Sequence, residues 1–184
     1  CALPIYLFWE QNRISLETSR AELMQKLAYT DGLTELHNRL AFGQREAQVR
    51  EEGKPCFVVQ LDINRLKTVN DVYGHAEGDR HIIEAAHRIR DSFSGIGDSY
   101  RTGGDEFIVI SRAGCSEAEI TQALSGLDRL TEAYNRTADP PVALQIAVGY
   151  AAFDPPHNTL EEAESAADQR MYARKKQMKA REAR

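Results

Sequence analysis

Cysteine and tryptophan are scarce in this sequence, and it has no long apolar run. Three cysteines, Cys1, Cys56 and Cys115, occur in 184 residues. They share no metal-site spacing and fit a reducing compartment better than a disulfide scaffold. The apolar stretch at residues 2–9 is far too short to span a bilayer. A surplus of positive charge is missing too. Lys and Arg number 23 against 28 Asp and Glu, leaving a net charge of −5. That balance excludes a nonspecific nucleic-acid binder, so the basic residues that matter must be local clusters. The chain opens on Cys1 rather than Met, which leads us to expect a piece of a longer protein. Residues 2–9 then read either as the end of a truncated membrane helix or as the edge of that piece. Internal repeats and low-complexity segments are also lacking. What is present is 42% hydrophobic and 28% charged residues, an ordinary globular composition with enough chain for one domain and an appendage.

Residues 10–29 contain neither Gly nor Pro, and Leu16, Leu23 and Leu27 fall on one helical face. That face suits either a signalling helix paired with its copy in a dimer or a helix lying on its own domain. Asn38 is the N-cap of a helix running to about Glu52, which Gly53-Lys54-Pro55 ends. An apolar strand at 56–62 precedes a short helix at 64–69 and a loop at 70–78. Asp79 sits where an N-cap would, opening a helix that buries Ile82, Ile83, Ala86, Ile89 and Phe93. Ser116 caps a helix to about Arg136, with Ile120, Leu124, Leu127 and Leu130 inside, stopped by Asp139-Pro140-Pro141. A strand at 142–151 follows, and Thr159 caps a last helix with Glu161, Glu162 and Glu164 near its positive end. Alternating helices and strands with one antiparallel hairpin predict an α/β (α+β) fold, a mixed central β-sheet flanked by helices. Residues 1–29 form a helical stalk and 30–184 the domain.

The predicted hairpin carries the chemistry. Residues 99–102 are extended, Gly103-Gly104 supplies the positive φ angles of a two-residue turn, and residues 107–110 form a buried strand. Asp105 and Glu106 place two carboxylates beside a bare glycine backbone, where they repel each other unless a cation lies between them. A second apolar strand ends on Asp62. If the two strand ends meet, two or three hard oxygen ligands converge, the donor set of Mg²⁺ or Mn²⁺. So few carboxylates leave the octahedron to be completed by substrate phosphates and water. That suggests nucleotidyl or phosphoryl transfer by a two-metal route. The plain alternatives are a solvated acidic turn and an Asp62 that caps the next helix.

Four spaced blocks resemble one family. Gly103-Gly104-Asp105-Glu106-Phe107 is the full signature of the GGDEF domains, the bacterial diguanylate cyclases. The stretches at 31–39, at 61–79 and from Ala167-Asp168 through Tyr172 to Lys175 agree in order and spacing, so that the resemblance covers roughly residues 28 to 180. It implies a palm-like nucleotidyl cyclase fold. It also implies condensation of two GTP into cyclic di-GMP across a homodimer, with two Mg²⁺ (or Mn²⁺) per active site. By resemblance, Asp62, the Ile63 carbonyl, Asp105 and Glu106 are metal ligands, and Asp105, Glu106 and Lys67 are catalytic. Asn70 and Asp79 read guanine, as their acceptors and donors suit that base. Leu66, Gly103 and Gly104 complete the substrate site, and Lys175 and Lys179 hold the triphosphate. His75 reads as a structural loop residue.

The sequence departs from the family pattern at several positions. Asn64 replaces the usual second Asp of Asp-x-Asp, Glu35 stands where Gly is common, and residues 178–180 read Met-Lys-Ala where Gly-Arg-Asn is frequent. The Arg-x-x-Asp of the family's product-inhibition site should end just before the hairpin, but that window reads Ser94-Gly95-Ile96-Gly97. Arg88 and Asp91 have the spacing six residues too early, and the primary inhibitory site is expected to be absent. The resemblance further implies a cytoplasmic catalytic domain with an upstream sensor or inner-membrane anchor, and no nucleic-acid partner. The rival readings are a catalytically silent module that binds GTP or cyclic di-GMP, and a cyclase with another nucleotide product.

Overall fold

The strand Cys56–Ile63 (β1) is apolar on both faces because it is buried on both. Val59, Leu61 and Ile63 point into one core, and Cys56 and Val58 into another. The computed structural model describes residues 26–182 together with Arg13, Arg20, Leu23 and Met24. The expectations for residues 2–9 and for Leu16 lie outside them.

The described elements are α1 (Arg39–Glu52), β1, α2 (Leu66–Tyr73), α3 (His75–Phe93), β2 (Gly97–Arg101), β3 (Glu106–Ser111), α4 (Glu117–Ala138), β4 (Ile146–Phe153) and α5 (Leu160–Glu182). The sheet runs β2-β3-β1-β4. Helices α3 and α4 cover one face through Ile82, Ala86, Ile89, Phe93, Ile120 and Leu127. Helices α1 and α5 cover the other through Phe42, Val49, Leu160, Ala163 and Ala167. The result is a helix–sheet–helix sandwich, as the sequence leads one to expect.

Its sheet is not mixed, however. All three pairings among the four strands are antiparallel. Strands β1 and β2 do run the same way, but β3 inserts between them, the split βαβ arrangement. The parallel pairing that exists among the described residues is an isolated bridge, His37 to Tyr100, on the outer edge of β2.

Caps set most boundaries. Asn38 accepts from the Leu40 and Ala41 amides and starts α1. Gly53 ends it at φ 55°. Ser116 and Glu119 form a capping box on α4, and Thr159 and Glu162 exchange the same pair of bonds at α5.

Four boundaries or burials differ from expectation. The segment 70–78 is not a loop: α2 continues to Tyr73 and α3 begins at His75, with Gly74 (φ 86°, ψ 164°) as the whole joint. Asp79 is therefore inside α3 and not its cap. Strand β4 begins at Ile146 rather than 142, because Pro140 and Pro141 and the Asn135–Leu144 bonds hold the preceding segment irregular. Leu130 is exposed and Ile83 only half-buried, since α4 and α3 turn those positions away from the sheet. Cys56 is core as expected, and burial pushes its thiol up to about 11.

Where α1 meets α5, Arg50 bonds both Glu46 and Glu161, and Glu164 lies against Glu46. Burial, reinforced by Glu46, pushes Glu164 up to about 7. The folded chain thus holds this proton more tightly than the unfolded chain, whose carboxyl titrates near 4.5. The stability it supplies is complete below that value, falls as pH rises towards 7 and is lost above it. Glu164→Gln is expected to flatten the decline between pH 5 and 7 and to raise Tm at pH 8 by roughly 2–4 °C, as read by calorimetry.

Candidate functional site

Register places the carboxylates. Asp62 of β1 lies directly opposite Glu106 of β3. Side chains alternate along a strand, so Asp62 shares the face of Cys56 and Val58, and Glu106 that of Ile108 and Ile110. Both therefore stand on the α1/α5 side, at the end of the sheet. The Ile63 amide donates to the Asp105 carbonyl at 3.1 Å, which ties Asp105 to the same strand end. Asp62 is buried, whereas Glu106 is exposed. Burial raises the Asp62 carboxyl above its usual range, and Asp105 and Glu106 push the same way against the pull of Lys175. Lys175 reaches down from α5 and puts Nζ 2.5 Å from Asp62 Oδ1. Asp62 does not cap the following helix, whose N-cap is Arg65.

The turn itself differs from the expected one. Thr102 donates to the Glu106 carbonyl and neither Gly103 nor Gly104 has a left-handed φ. The loop between Arg101 and Glu106 is too long for a two-residue turn, so mirror-image torsions are not needed. What glycine supplies at 103 is room. A Cβ there would lie 2.8 Å from Glu106 Oε2.

The loop is held by a residue to which sequence reasoning assigned no role. Arg101 donates from Nε to the Gly103 carbonyl (3.1 Å), from Nη2 to the Gly104 carbonyl (3.0 Å) and from Nη1 to Asp31 Oδ1 (3.0 Å). Asp31 also accepts from the Thr34 hydroxyl and amide. Burial alone would raise the Asp31 carboxyl, but the Thr34 and Arg101 bonds hold it below its usual range. Asp31 and Arg101 are 70 positions apart, and nothing in the local sequence of either reports the other.

The second cluster forms at the α2–α3 corner. Gly74 turns the chain so that Gly78 packs against Asn70, and a Cβ on Gly78 would overlap Asn70 Oδ1. Asn70 and Asp79 are thereby brought to one corner, with Asp79 exposed and Leu66 buried at the start of α2. Lys67 on α2 and Lys179, one turn beyond Lys175 on α5, are both exposed. His75 opens α3 rather than sitting in a loop. Asn64 is buried and donates to Met178 Sδ at 3.3 Å, fixing the C-terminal half of α5 above β1. A groove of about 380 Å³ between α1 and α5, lined by Arg39, Gln60, Thr102, Glu106, Glu164 and Asp168, opens on the same face as the carboxylates.

The donor set fits an open divalent-cation site. No three His, Cys, Asp or Glu side chains close into a cage among the described residues. Two facing carboxylates with a third held alongside leave most of an octahedron to water, backbone carbonyl and substrate oxygens, as Mg²⁺ prefers.

A family model described as "Diguanylate cyclase, GGDEF domain" matches residues 28–181. The chain belongs to the GGDEF family. This GGDEF domain is 33% identical over 176 residues to the diguanylate cyclase DgcN of Escherichia coli K12, covering 91% of the chain and 42% of that protein. The chain thus spans less than half of that relative. In structure it is similar to the coiled coil and GGDEF domain of DgcB from Caulobacter crescentus, solved in complex with c-di-GMP. The TM-score is 0.76 at 24% identity, over 96% of this chain and 95% of that one, a likeness of fold. It is also similar to the GGDEF domain of PA1120 (TpbB or YfiN) from Pseudomonas aeruginosa, with TM-score 0.67 at 31% identity, over 80% and 89% of the two chains. No helix among the described residues is long and apolar enough to cross a membrane.

Arg101→Lys keeps the charge but loses the fork that spans two carbonyls and a carboxylate. Amide exchange at Thr102, whose N–H closes the loop onto the Glu106 carbonyl, is expected to speed up about tenfold, with Val109 unchanged, in a hydrogen-exchange NMR experiment.

Proposed function

We propose that this GGDEF domain is a diguanylate cyclase, condensing two GTP into cyclic di-GMP and two pyrophosphates. The observation that carries the reading is the Asp62–Glu106 register, with Asp105 tied to Ile63 at the same strand end. In each half-reaction a ribose 3′-oxygen forms a bond to the α-phosphorus of the other nucleotide. The α–β phosphoanhydride bond breaks, and the hydroxyl proton leaves. Two Mg²⁺ (or Mn²⁺), held by Asp62, the Ile63 carbonyl, Asp105 and Glu106, would lower the 3′-hydroxyl pKa and offset charge at phosphorus.

The chain's own residues do the rest. Asp105 accepts the proton, and Glu106 shares the metal face with Asp62. Lys67 offsets charge on the phosphoryl group as the pentacoordinate phosphorus forms. Asn70 and Asp79 read guanine at the α2–α3 corner above Leu66. Gly103 and Gly104 let the backbone approach the nucleotide, and Lys175 and Lys179 hold the triphosphate. One half-site can do no chemistry alone, so two protomers face each other as a homodimer. The stalk at residues 1–29 sets their geometry for the domain at 30–184. GTP as substrate places the domain in the cytoplasm, with a sensor or inner-membrane region upstream in the full-length protein.

Product inhibition through the family's primary site is absent in this reading. Gly97 stands at its acidic position, where a Cβ would overlap the Ile110 carbonyl of the neighbouring strand. Arg88, the early candidate, is paired with Glu84 and stacked 4.1 Å from the Tyr134 ring centroid.

With GTP and Mg²⁺, chromatography of the products is expected to show cyclic di-GMP and pyrophosphate. Asp105→Ala or Glu106→Ala should lower turnover by at least about a thousandfold, with Tm within about 2 °C of the parent. GTP recovered intact would instead mark a silent binding module, and another cyclic nucleotide a different cyclase. Gly78→Ala drives the Asn70 amide from its place, so GTP affinity is expected to fall about tenfold by calorimetry.

A further inference from the structure

The lysine that meets Asp62 is not a loose surface residue. Its helix lies against the sheet at a depth set by Gly149, where a Cβ would overlap the Ala167 carbonyl and the Met171 amide. The bond from Asn64 to Met178 pins α5 again, three residues past Lys175. The Lys175 side chain is 20% exposed and that of Asp62 9%. An ammonium thus sits beside the most buried of three neighbouring carboxylates, and it does so on Oδ1, an oxygen that would ligate a cation. Mg²⁺ needs its ligand oxygens at about 2.1 Å in a near-ideal octahedron. An ammonium on Asp62 Oδ1 competes with a divalent ion for the same carboxylate, because the two cations repel.

We propose that Lys175 is a place-holding cation: it neutralises the Asp62 site while no nucleotide is bound, and hands Asp62 over to the metal as its ammonium moves to the incoming triphosphate. The inference rests on the metal and triphosphate assignments of the proposed function and adds a coupling between them. The handover makes metal binding weak without nucleotide and stronger with it. A lysine suits this exchange: its compact charge rides on a flexible four-carbon stem, so Nζ can move while α5 stays pinned. Lys179, exposed one turn further on, contributes to phosphate binding and not to the exchange.

Calorimetric titration of Mn²⁺ into the full chain tests this, with and without a non-hydrolysable GTP analogue. For Lys175→Met without nucleotide, Mn²⁺ affinity is expected to rise at least about tenfold over the parent, the size of one charge-assisted hydrogen bond removed. The enhancement of Mn²⁺ affinity by the analogue, large in the parent, should shrink by the same factor, since coupling is reciprocal. Lys179→Met should weaken the analogue alone and leave nucleotide-free Mn²⁺ binding as in the parent. Lys175→Gln serves as a second variant, and circular dichroism checks the fold of each. Unchanged or weaker nucleotide-free Mn²⁺ binding in both folded Lys175 variants overturns the handover. Asp62→Asn, titrated with the analogue present, separates the two levels. If it binds Mn²⁺ as the parent does, the metal assignment itself fails. If it loses Mn²⁺ while the Lys175 variants gain nothing, the handover alone is wrong.

Discussion

Everything at the candidate site hangs on the register of two strands. Val59, Leu61 and Ile63 of β1 share one core with Phe107 and Val109 of β3, while Val58 shares the other with Ile108 and Ile110. A slip of β1 by one residue would exchange its side chains between the two cores, turn Gln60 and Asp62 toward the α3/α4 side and carry Asp62 and Glu106 to opposite faces of the sheet. The apolar cores therefore fix the alignment, and the carboxylates inherit their positions from it. Close approach of like charges is costly, and the buried packing of β1 and β3 is what makes it tolerable. Burial first, and then the neighbouring Asp105 and Glu106, hold the Asp62 carboxyl above its usual range.

Beside Gly97, three further glycines mark where this domain packs tighter than a side chain allows. Gly103 gives the Glu106 carboxylate room, Gly78 receives the Asn70 amide, and Gly149 lets α5 rest on β4. Two of them adjoin groups proposed to handle substrate, and the third sets the depth of the helix that carries Lys175. None of the three has a left-handed φ, so their value lies in absent volume rather than in torsional freedom.

Much of this was legible in the sequence, where local rules govern. The caps at Asn38, Ser116 and Thr159, the stop at Gly53 and the apolar run of β1 follow from a few neighbouring residues. The meeting of Asp62 with the hairpin was inferable because both lie at strand ends. The parts that escaped depend on distance or on a single torsion. Gly74 joins α2 to α3 with no intervening loop, and a chain rich in polar residues around one glycine reads as loop instead. The antiparallel character of the whole sheet depends on β3 entering between β1 and β2, a choice made by packing. Arg101 read as one more strand residue, because its partners lie across a loop and 70 residues back.

The short segment ahead of α1 has a mechanical consequence. His37 pairs with the outer edge of β2, receiving the Arg101 amide on its carbonyl, while Asp31 grips the same arginine by its guanidinium. The chain entering the domain is thus fastened to both ends of one residue, and that residue holds the two glycine carbonyls of the loop. The entry segment and the glycine turn therefore share a single side chain, and neither is anchored independently of the other.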